Sequence, residues 1–162
     1  MHELALPRPA VTVATVVARD GAFLLVEETT RAGVRFNQPA GHLEPGETLI
    51  DAAVRETLEE TGHHVRPVAL VGIYRWQAPE TGATFLRFAY AADVLGHDRE
   101  RPLDEGILRT HWLTYEALVG CRERHRSPLV LRCVDDFRAG RRHPADLVVD
   151  CGTADEPRGR AP

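Results

Sequence analysis

The chain has 162 residues and a formal net charge of -4, which suits one domain with a proper core and excludes a bulk attraction to nucleic acid. Its three cysteines, Cys121, Cys133 and Cys151, are widely spaced and match neither a disulfide framework nor a zinc site. We therefore expect the protein to reside in the reducing cytoplasm. We expect no signal peptide, because the N-terminus lacks a basic segment before an apolar one, and no membrane span, because no apolar run is long enough.

The strands are predicted from runs of Val, Thr and aromatic residues between turn signals. Two strands come first, at residues 10–18 and 22–27. A loop at 29–34 and a short extended segment at 36–39 follow. The later strands are a hairpin, 68–77 with 84–94, and a strand at 107–113 beyond a charged loop at 96–106.

A helix is predicted between Thr48 and Gly62. Thr48 and Asp51 resemble a capping box, and Gly62 stands where a left-handed C-cap is expected. Apolar side chains recur every four residues and form a stripe along this helix. They are Ile50, Val54 and Leu58.

Three glutamates share the opposite face of that helix, since Glu56, Glu59 and Glu60 are three and four positions apart. Like charges at this spacing repel by a few tenths of a kcal/mol per pair. A hard divalent cation wants several oxygen ligands, and magnesium favours carboxylates combined with substrate phosphates. The face is therefore a candidate metal site, and a solvated acidic face is the alternative.

The last part of the chain predicts two further helices and a tail. Thr114 is the expected cap of a short helix that ends at Val119. Ser127 and Pro128 begin another, which runs toward Ala139. We expect one α/β domain with a mixed sheet over residues 10–139 and a mobile tail over 140–162, with an edge strand at 147–149 as the alternative for part of it.

The glycines and acids around the first helix resemble the Nudix box. The matching positions are Gly41, Glu47, Arg55-Glu56, Glu59-Glu60 and Gly62. Thr57 and His63 depart from the pattern, because the family usually has aliphatic residues there. This resemblance implies an α/β/α sandwich and hydrolysis of phosphoanhydrides.

The resemblance also implies roles for individual residues. Glu56, Glu59 and Glu60, with the Ala40 carbonyl, would bind Mg2+ or Mn2+, and Glu56 would also orient or deprotonate the attacking water. Arg55 and Glu47 would hold the ligands in place. Some members use an acid from a later loop as general base, and Asp104 and Glu105 are the candidates here; a solvated loop acid is the alternative.

The flanking segments narrow the resemblance to the NudJ-type Nudix phosphatases. They are Val11-Thr12-Val13-Ala14, Val26-Glu27-Glu28-Thr29, 37–44, Phe85-Leu86-Arg87-Phe88 and 126–130. That subgroup removes phosphate from nucleoside tri- and diphosphates and from hydroxymethylpyrimidine pyrophosphate, so the expected partners are such small molecules. The alternatives are a Nudix pyrophosphatase for ADP-ribose or dinucleotide polyphosphates, and a Nudix-fold binding module without turnover.

Substrate recognition is expected from residues outside the box. Asn37 and Gln38 precede the metal loop and could hydrogen-bond a base edge. Tyr74 and Trp76 share one face of a strand and could stack on a ring, or pack in the core instead. Arg87 could bind a phosphate or cap a sheet edge.

Overall fold

Eight strands in two sheets and three helices make up residues 8–152, the part of the chain that the computed structural model describes. The strands are β1 (Ala10–Val16), β2 (Ala18–Arg19), β3 (Ala22–Thr30), β4 (Gly33–Asn37), β5 (Ala40–His42), β6 (His63–Gln77), β7 (Thr84–His97) and β8 (Ile107–Thr114). The helices are α1 (Leu49–Thr61), α2 (Tyr115–Gly120) and α3 (Leu129–Arg138).

The main sheet has the order β5-β1-β7-β6 and is mixed, because β1 and β7 run parallel while the other pairs are antiparallel. The second sheet is antiparallel and places β3 between β4 and β8, and the short strand β2 pairs with the beginning of β3. Together with the helices, these sheets form the mixed α/β architecture expected from the sequence.

The core has two layers, one on each face of the main sheet. Neighbouring residues of β1 point to opposite faces. Val13 therefore packs with Ala52 and Ala53 of α1, whereas Ala14 packs with Val130 and Val134 of α3. The main sheet thus lies between α1 and α3, which confirms the α/β/α sandwich.

Local capping fixes both ends of α1, as predicted. The Thr48 hydroxyl accepts from the Asp51 amide at 3.1 Å and donates to its carboxylate at 2.8 Å. Gly62 has φ 71° and its N–H donates to the Leu58 carbonyl. These contacts involve only near neighbours in sequence, so they could be inferred without the fold.

The buried face of α1 differs from the one suggested by its apolar stripe. Ile50, Val54 and Leu58 are only partly buried. The helix instead buries small and polar side chains against the sheet, together with two of the glutamates; they are Ala52, Ala53, Glu56, Thr57, Glu60 and Thr61. Small residues allow close approach to the strands, so two of the three glutamates point into the protein rather than into solvent.

The two departures from the box pattern are polar residues with partners. Thr57 is fully buried, and its hydroxyl lies 2.7 Å from the Ala53 carbonyl and 2.8 Å from the Thr15 hydroxyl. His63 is 1% exposed and stacks on His97 with ring centroids 3.9 Å apart. Side-chain hydrogen bonding and stacking therefore replace the usual aliphatic packing at these positions.

Several strands are longer than the sequence predicted. β3 and β4 extend into the expected loop at 29–34 and form a tight hairpin there. β6 begins at His63, because its N-terminal half pairs with the end of β7. The proposed edge strand at 147–149 does not form; Ala145–Leu147 is a short 3-10 helix, and His143 makes backbone hydrogen bonds with Leu70 that fasten this segment to β6.

Candidate active site

The strand β5 brings a backbone edge to the carboxylates of α1. Hydrogen bonds from Thr15 to Pro39 and from Leu43 to Val11 set the register of β5 on β1. Because such bonds alternate along an antiparallel pair, the N–H and C=O of Ala40 point away from β1. The Ala40 N–H donates to Glu60 Oε2 at 2.9 Å, and the Ala40 carbonyl lies on the same open edge.

The position of the Glu56 carboxylate depends on Gly41. A Cβ added at this glycine would overlap the carboxylate of Glu56. The helix can therefore approach β5 closely only because position 41 has no side chain. Glu56 and Glu60 are each 9% exposed and flank this short strand.

Arg55 lies at the centre of the ionic contacts beside them. Its guanidinium binds Glu47 in a bidentate manner, at 3.0 Å from Nε and 2.8 Å from Nη2. Nη1 donates to Glu56 at 2.9 Å and to Glu59 at 3.0 Å, and Nη2 also donates to the His42 carbonyl at 3.1 Å. The five N–H groups of the arginine are matched by five hydrogen bonds, which fix the loop before α1 against the helix.

Burial makes the inner carboxylates hard to ionise. Burial raises the pKa of Glu60 to about 8, and the nearby charges of Glu56, Glu28 and Asp104 act in the same direction. Burial also raises the pKa of Glu56, although Arg55 opposes that shift. By contrast, the hydrogen bond from Arg55 lowers the pKa of Glu47. Arg55 is therefore shared by Glu47, Glu56 and Glu59, whereas Glu60 forms no ion pair within residues 8–152.

The donor set suits a hard divalent cation. Glu56, Glu60 and the Ala40 carbonyl supply only oxygen, which magnesium and manganese prefer, and a bound cation would offset the cost of ionising two buried carboxylates. Within residues 8–152, no three His, Cys, Asp or Glu side chains already converge as a metal-binding group. Glu59 is bound by Arg55 Nη1, the same nitrogen that binds Glu56.

A cleft of about 950 Å³ opens above the carboxylates. One wall carries Ala40, Gly41, Glu56 and Glu60. The remaining walls come from the β3–β4 hairpin, the β6–β7 hairpin and the segment before α3; they include Arg31, Arg35, Trp76, Phe85, Arg87, Arg126 and Ser127. The arginines can bind phosphate oxygens directly. The carboxylates can hold the divalent cation that would also bind the phosphates.

The expected recognition residues separate into two groups. Asn37, Trp76 and Arg87 line the cleft. Gln38 does not, because its side chain is 1% exposed and its amide donates to the Val130 carbonyl at 2.6 Å. Tyr74 is turned toward α3, where its hydroxyl donates to Asp136 at 3.0 Å. The structure therefore corrects the placement of Gln38 and Tyr74, which tie α3 to the sheets.

The two loop acids also differ. The Asp104 backbone N–H donates to the Glu59 carbonyl at 3.1 Å, which docks the loop on the end of α1. Its charge acts on Glu56 and Glu60, raising the pKa of both after the larger effect of burial. Both acids are exposed, and neither lines the cleft. Asp104 differs from Glu105 in its backbone contact with α1 and in the effect of its charge on the two glutamates.

Several cleft residues were not singled out as site candidates in the sequence, among them Thr12 and Glu28. Both line the cleft beside Glu60. Burial raises the pKa of Glu28, with Arg126 and a hydrogen bond from Asn37 opposing it. The available signal was strand alternation, because Glu28 is two positions after Val26, which is fully buried.

The sequence matches a family model for the NUDIX domain over residues 6–132. The chain belongs to the Nudix family. It is 39% identical over 143 residues to Phosphatase NudJ of Escherichia coli strain K12, a match that covers 88% of this chain and 92% of that protein.

Solved structures agree with this Nudix assignment. A NUDIX hydrolase from Nitrosomonas europaea superposes with a TM-score of 0.85 at 46% identity, covering 87% of this chain and 96% of that one. An Ap4A hydrolase from C. elegans superposes with a TM-score of 0.61 at 20% identity over 81% of this chain and 98% of that one, which shows the shared fold alone. The chain is a Nudix hydrolase. No helix in residues 8–152 is long and apolar enough to cross a membrane.

Proposed function

We propose that this Nudix hydrolase is a divalent-cation-dependent phosphatase that removes phosphate from nucleoside tri- and diphosphates and from hydroxymethylpyrimidine pyrophosphate. The observation that carries this proposal is the placement of Glu56 and Glu60 on either side of the Ala40–Gly41 edge, at the wall of an arginine-lined cleft. The 39% identity to Phosphatase NudJ supports the choice of substrates. The free state of all three cysteines fits a cytoplasmic enzyme.

The site residues have two kinds of role: some would bind the cation, and others would orient the water or hold a ligand in position. Glu56, Glu60 and the Ala40 carbonyl would hold Mg2+ or Mn2+, which supplies charge neutralisation at the phosphates and activation of water. Glu56 would orient the attacking water, since its carboxylate lies at the cleft wall against the Ala40–Gly41 edge. Arg55 keeps Glu56 in position through its anchor on Glu47.

The cleft gives the substrate an orientation. The phosphates lie at the wall of Glu56 and Glu60, and Arg35 and Arg126 are available to the outer phosphate oxygens at the rim. The ring then lies toward Trp76 and Phe85 on the β6–β7 hairpin. This orientation places most of the binding energy on the phosphates, so contacts to the base contribute a smaller part of it.

Product analysis tests the proposal directly. Orthophosphate and pyrophosphate should be assayed separately for adenine, guanine, cytosine and uracil nucleotides and for hydroxymethylpyrimidine pyrophosphate. We expect stepwise release of orthophosphate. Pyrophosphate as the main product, or cleavage of ADP-ribose or a dinucleotide polyphosphate at a higher kcat/KM, would identify the pyrophosphatase alternative.

Cation dependence is tested on the same protein after chelation. We expect hydrolysis to stop and to return with Mg2+ or Mn2+, and we expect the added ion to raise the melting temperature. Undiminished hydrolysis by the metal-stripped protein would refute the metal mechanism. A protein that binds nucleotides with no turnover under any of these conditions would be the non-catalytic module, which the retention of all the box carboxylates disfavours.

A further inference from the structure

The floor of the cleft is built from neighbouring strands of the main sheet. Thr12 of β1 and Arg87 of β7 are adjacent in the parallel pair, on the face toward α3. In the next row toward the cleft mouth, Phe85 of β7 lies beside Trp76 of β6. Glu28 and Asn37, from the second sheet, complete the floor.

Unsatisfied polar atoms are concentrated on this floor. Within residues 8–152, four side-chain polar atoms are buried without a hydrogen-bond partner. Three of them belong to cleft residues: Thr12 Oγ1, Glu28 Oε1 and Arg87 Nε. Buried polar groups are normally paired, so such a concentration indicates that something other than the protein completes the hydrogen bonds there.

Arg87 carries a buried charge without a close anionic partner. It is 7% exposed, and its guanidinium lies 3.3 to 3.5 Å from the neutral side chains of Asn37 and Gln38 and also faces the Cys133 thiol. Glu28 faces the same space, and the nearest guanidinium nitrogen of Arg126 is 3.9 Å from its Oε1. Arg87 and Glu28 form no ion pair with each other, so a donor atom of one and an acceptor atom of the other stay unpartnered in the same cleft.

An aromatic surface flanks these groups. The rings of Trp76 and Phe85 are stacked with centroids 5.7 Å apart and an interplanar angle of 27°. A flat ring beside them would present its edge to the floor. Mixed donors and acceptors suit the edge of a neutral heterocycle better than a phosphate, because the Glu28 carboxylate would repel phosphate oxygens.

We propose that the floor formed by Thr12, Glu28 and Arg87 binds the edge of the substrate's heterocyclic ring and selects rings in which an exocyclic amino group adjoins an unprotonated ring nitrogen. This subsite rests on the proposed function, because it adds ring selection to a cleft whose phosphates lie at Glu56 and Glu60. Cytosine, adenine and 4-aminopyrimidine rings have such an edge.

The chemistry of that edge matches the two charged side chains. The amino group donates to Glu28, and the ring nitrogen accepts from Arg87. Uracil and hypoxanthine reverse both groups, so a carbonyl oxygen would face the carboxylate and an N–H would face the guanidinium. The hydroxyl of Thr12 can donate or accept and completes the edge.

Matched substrate pairs test the selection. The kcat/KM values of cytidine and uridine diphosphates, and of adenosine and inosine diphosphates, should be compared in the wild-type enzyme. We expect the amino-bearing member of each pair to be favoured about tenfold or more, as for a hydrogen bond to a charged group. Ratios within about twofold in both pairs would overturn the proposal, since they lie well below the effect of one such bond.

Substitutions of the floor residues test whether these side chains cause the ring selection. In Glu28→Gln the amide can donate as well as accept, so we expect the ratios to fall toward unity. Thr12→Val, which is close in size, should lower them less. The matched control is Glu27→Gln, because Glu27 lies on the opposite face of β3 and binds His111 and Arg124; its ratios should equal those of the wild type. Unchanged ratios in Glu28→Gln would remove Glu28 from the subsite.

A binding measurement separates this proposal from the proposed function. Cytidine and uridine monophosphates have no anhydride bond, so calorimetry on them requires no turnover. Tighter binding of the cytidine compound, lost in Glu28→Gln, would support the subsite even if no hydrolysis of di- or triphosphates were found. Equal binding of both compounds, together with normal hydrolysis, would refute the subsite and leave the phosphatase assignment intact.

Discussion

The carboxylate of Glu56 lies against the α-carbon of Gly41, in the space that the Cβ of any other residue would occupy. The backbone of Gly41 is not in the left-handed region. The glycine is therefore required by the close approach of helix α1 and strand β5 rather than by backbone conformation. That approach also brings Glu60 to the Ala40 amide.

Replacement of Gly41 should lower both kcat/KM and the free energy of unfolding, and the two effects can be measured separately. In Gly41→Ala the new methyl group must displace Glu56 or β5, so we expect kcat/KM to fall by about a hundredfold, the effect of misplacing a reacting group by about 1 Å. The cost in unfolding free energy should be about 1–3 kcal/mol. Steady-state kinetics and denaturant unfolding measure the two effects.

Gly120→Ala is the matched control for that variant, because a Cβ at Gly120 would meet no atom within 4 Å. It should leave kinetics and stability near those of the wild type. If Gly41→Ala also behaved like the wild type, the close contact between Glu56 and β5 would not be needed for catalysis.

Glu60→Gln should lower turnover much more than it lowers stability. The new amide oxygen can still accept from the Ala40 N–H, but one charge of the buried pair is lost. Thermal melting of the chelated protein near neutral pH should be nearly unchanged, because Glu60, with a pKa of about 8, is already largely protonated there; any remaining repulsion at i,i+4 with Glu56 would only fall. The stabilisation of the wild type by Mg2+ should shrink in the variant. Glu116→Gln, on the exposed side of α2, is the control; a sharp loss of melting temperature with turnover retained would make Glu60 structural.

The sequence was sufficient to predict features that depend on near neighbours. The ends of α1 follow from Thr48 and Gly62, whose capping bonds span three and four residues. The resemblance to the Nudix box likewise pointed to the glutamates that meet β5 and to the Arg55–Glu47 contact. These features depend on helical periodicity and on one short loop.

The sequence was insufficient where distant elements compete for the same side chain. Gln38 and Tyr74 looked available to a substrate, but both side chains hydrogen-bond to α3 instead. Gln38 donates to the Val130 carbonyl, and Tyr74 donates to the Asp136 carboxylate. Glu28 lay just beyond the predicted strand and was given no role, yet β3 extends through it and it lines the cleft. Such outcomes depend on tertiary packing, which local patterns do not encode.

Arg55→Lys should impair the ligand geometry while keeping the charge. A lysine cannot reproduce the bidentate contact with Glu47 together with the bonds to Glu56, Glu59 and the His42 carbonyl. We expect kcat to fall about 10- to 100-fold, the usual effect of losing a supporting contact at such a site, with a smaller change in KM. The control is Arg66→Lys, since Arg66 forms an exposed pair with Asp93. Equal kinetics for both variants would show that Arg55 does not position the glutamates.

His63 should make the stability of the enzyme fall in mild acid. Burial lowers the pKa of His63 to about 4, and the neighbouring charges of His97 and Arg19 add to this. The folded state thus holds the neutral ring, so its stabilising contribution is complete above the unfolded pKa of 6.5 and is lost as the pH falls from there toward 4.

Denaturant unfolding near neutral pH and near pH 5 tests this prediction in the wild type and in His63→Leu, which has the aliphatic residue usual in the family. Between those two pH values the wild type should lose about 2 kcal/mol more than the variant, the linkage expected for this shift. His64→Gln is the control, because His64 is exposed on the same strand, and it should follow the wild-type curve. Parallel curves for the wild type and His63→Leu would show that protonation of the buried ring does not drive the loss. A difference confined to His63→Leu would trace the acid sensitivity to the ring that stacks on His97 just beyond the carboxylate helix.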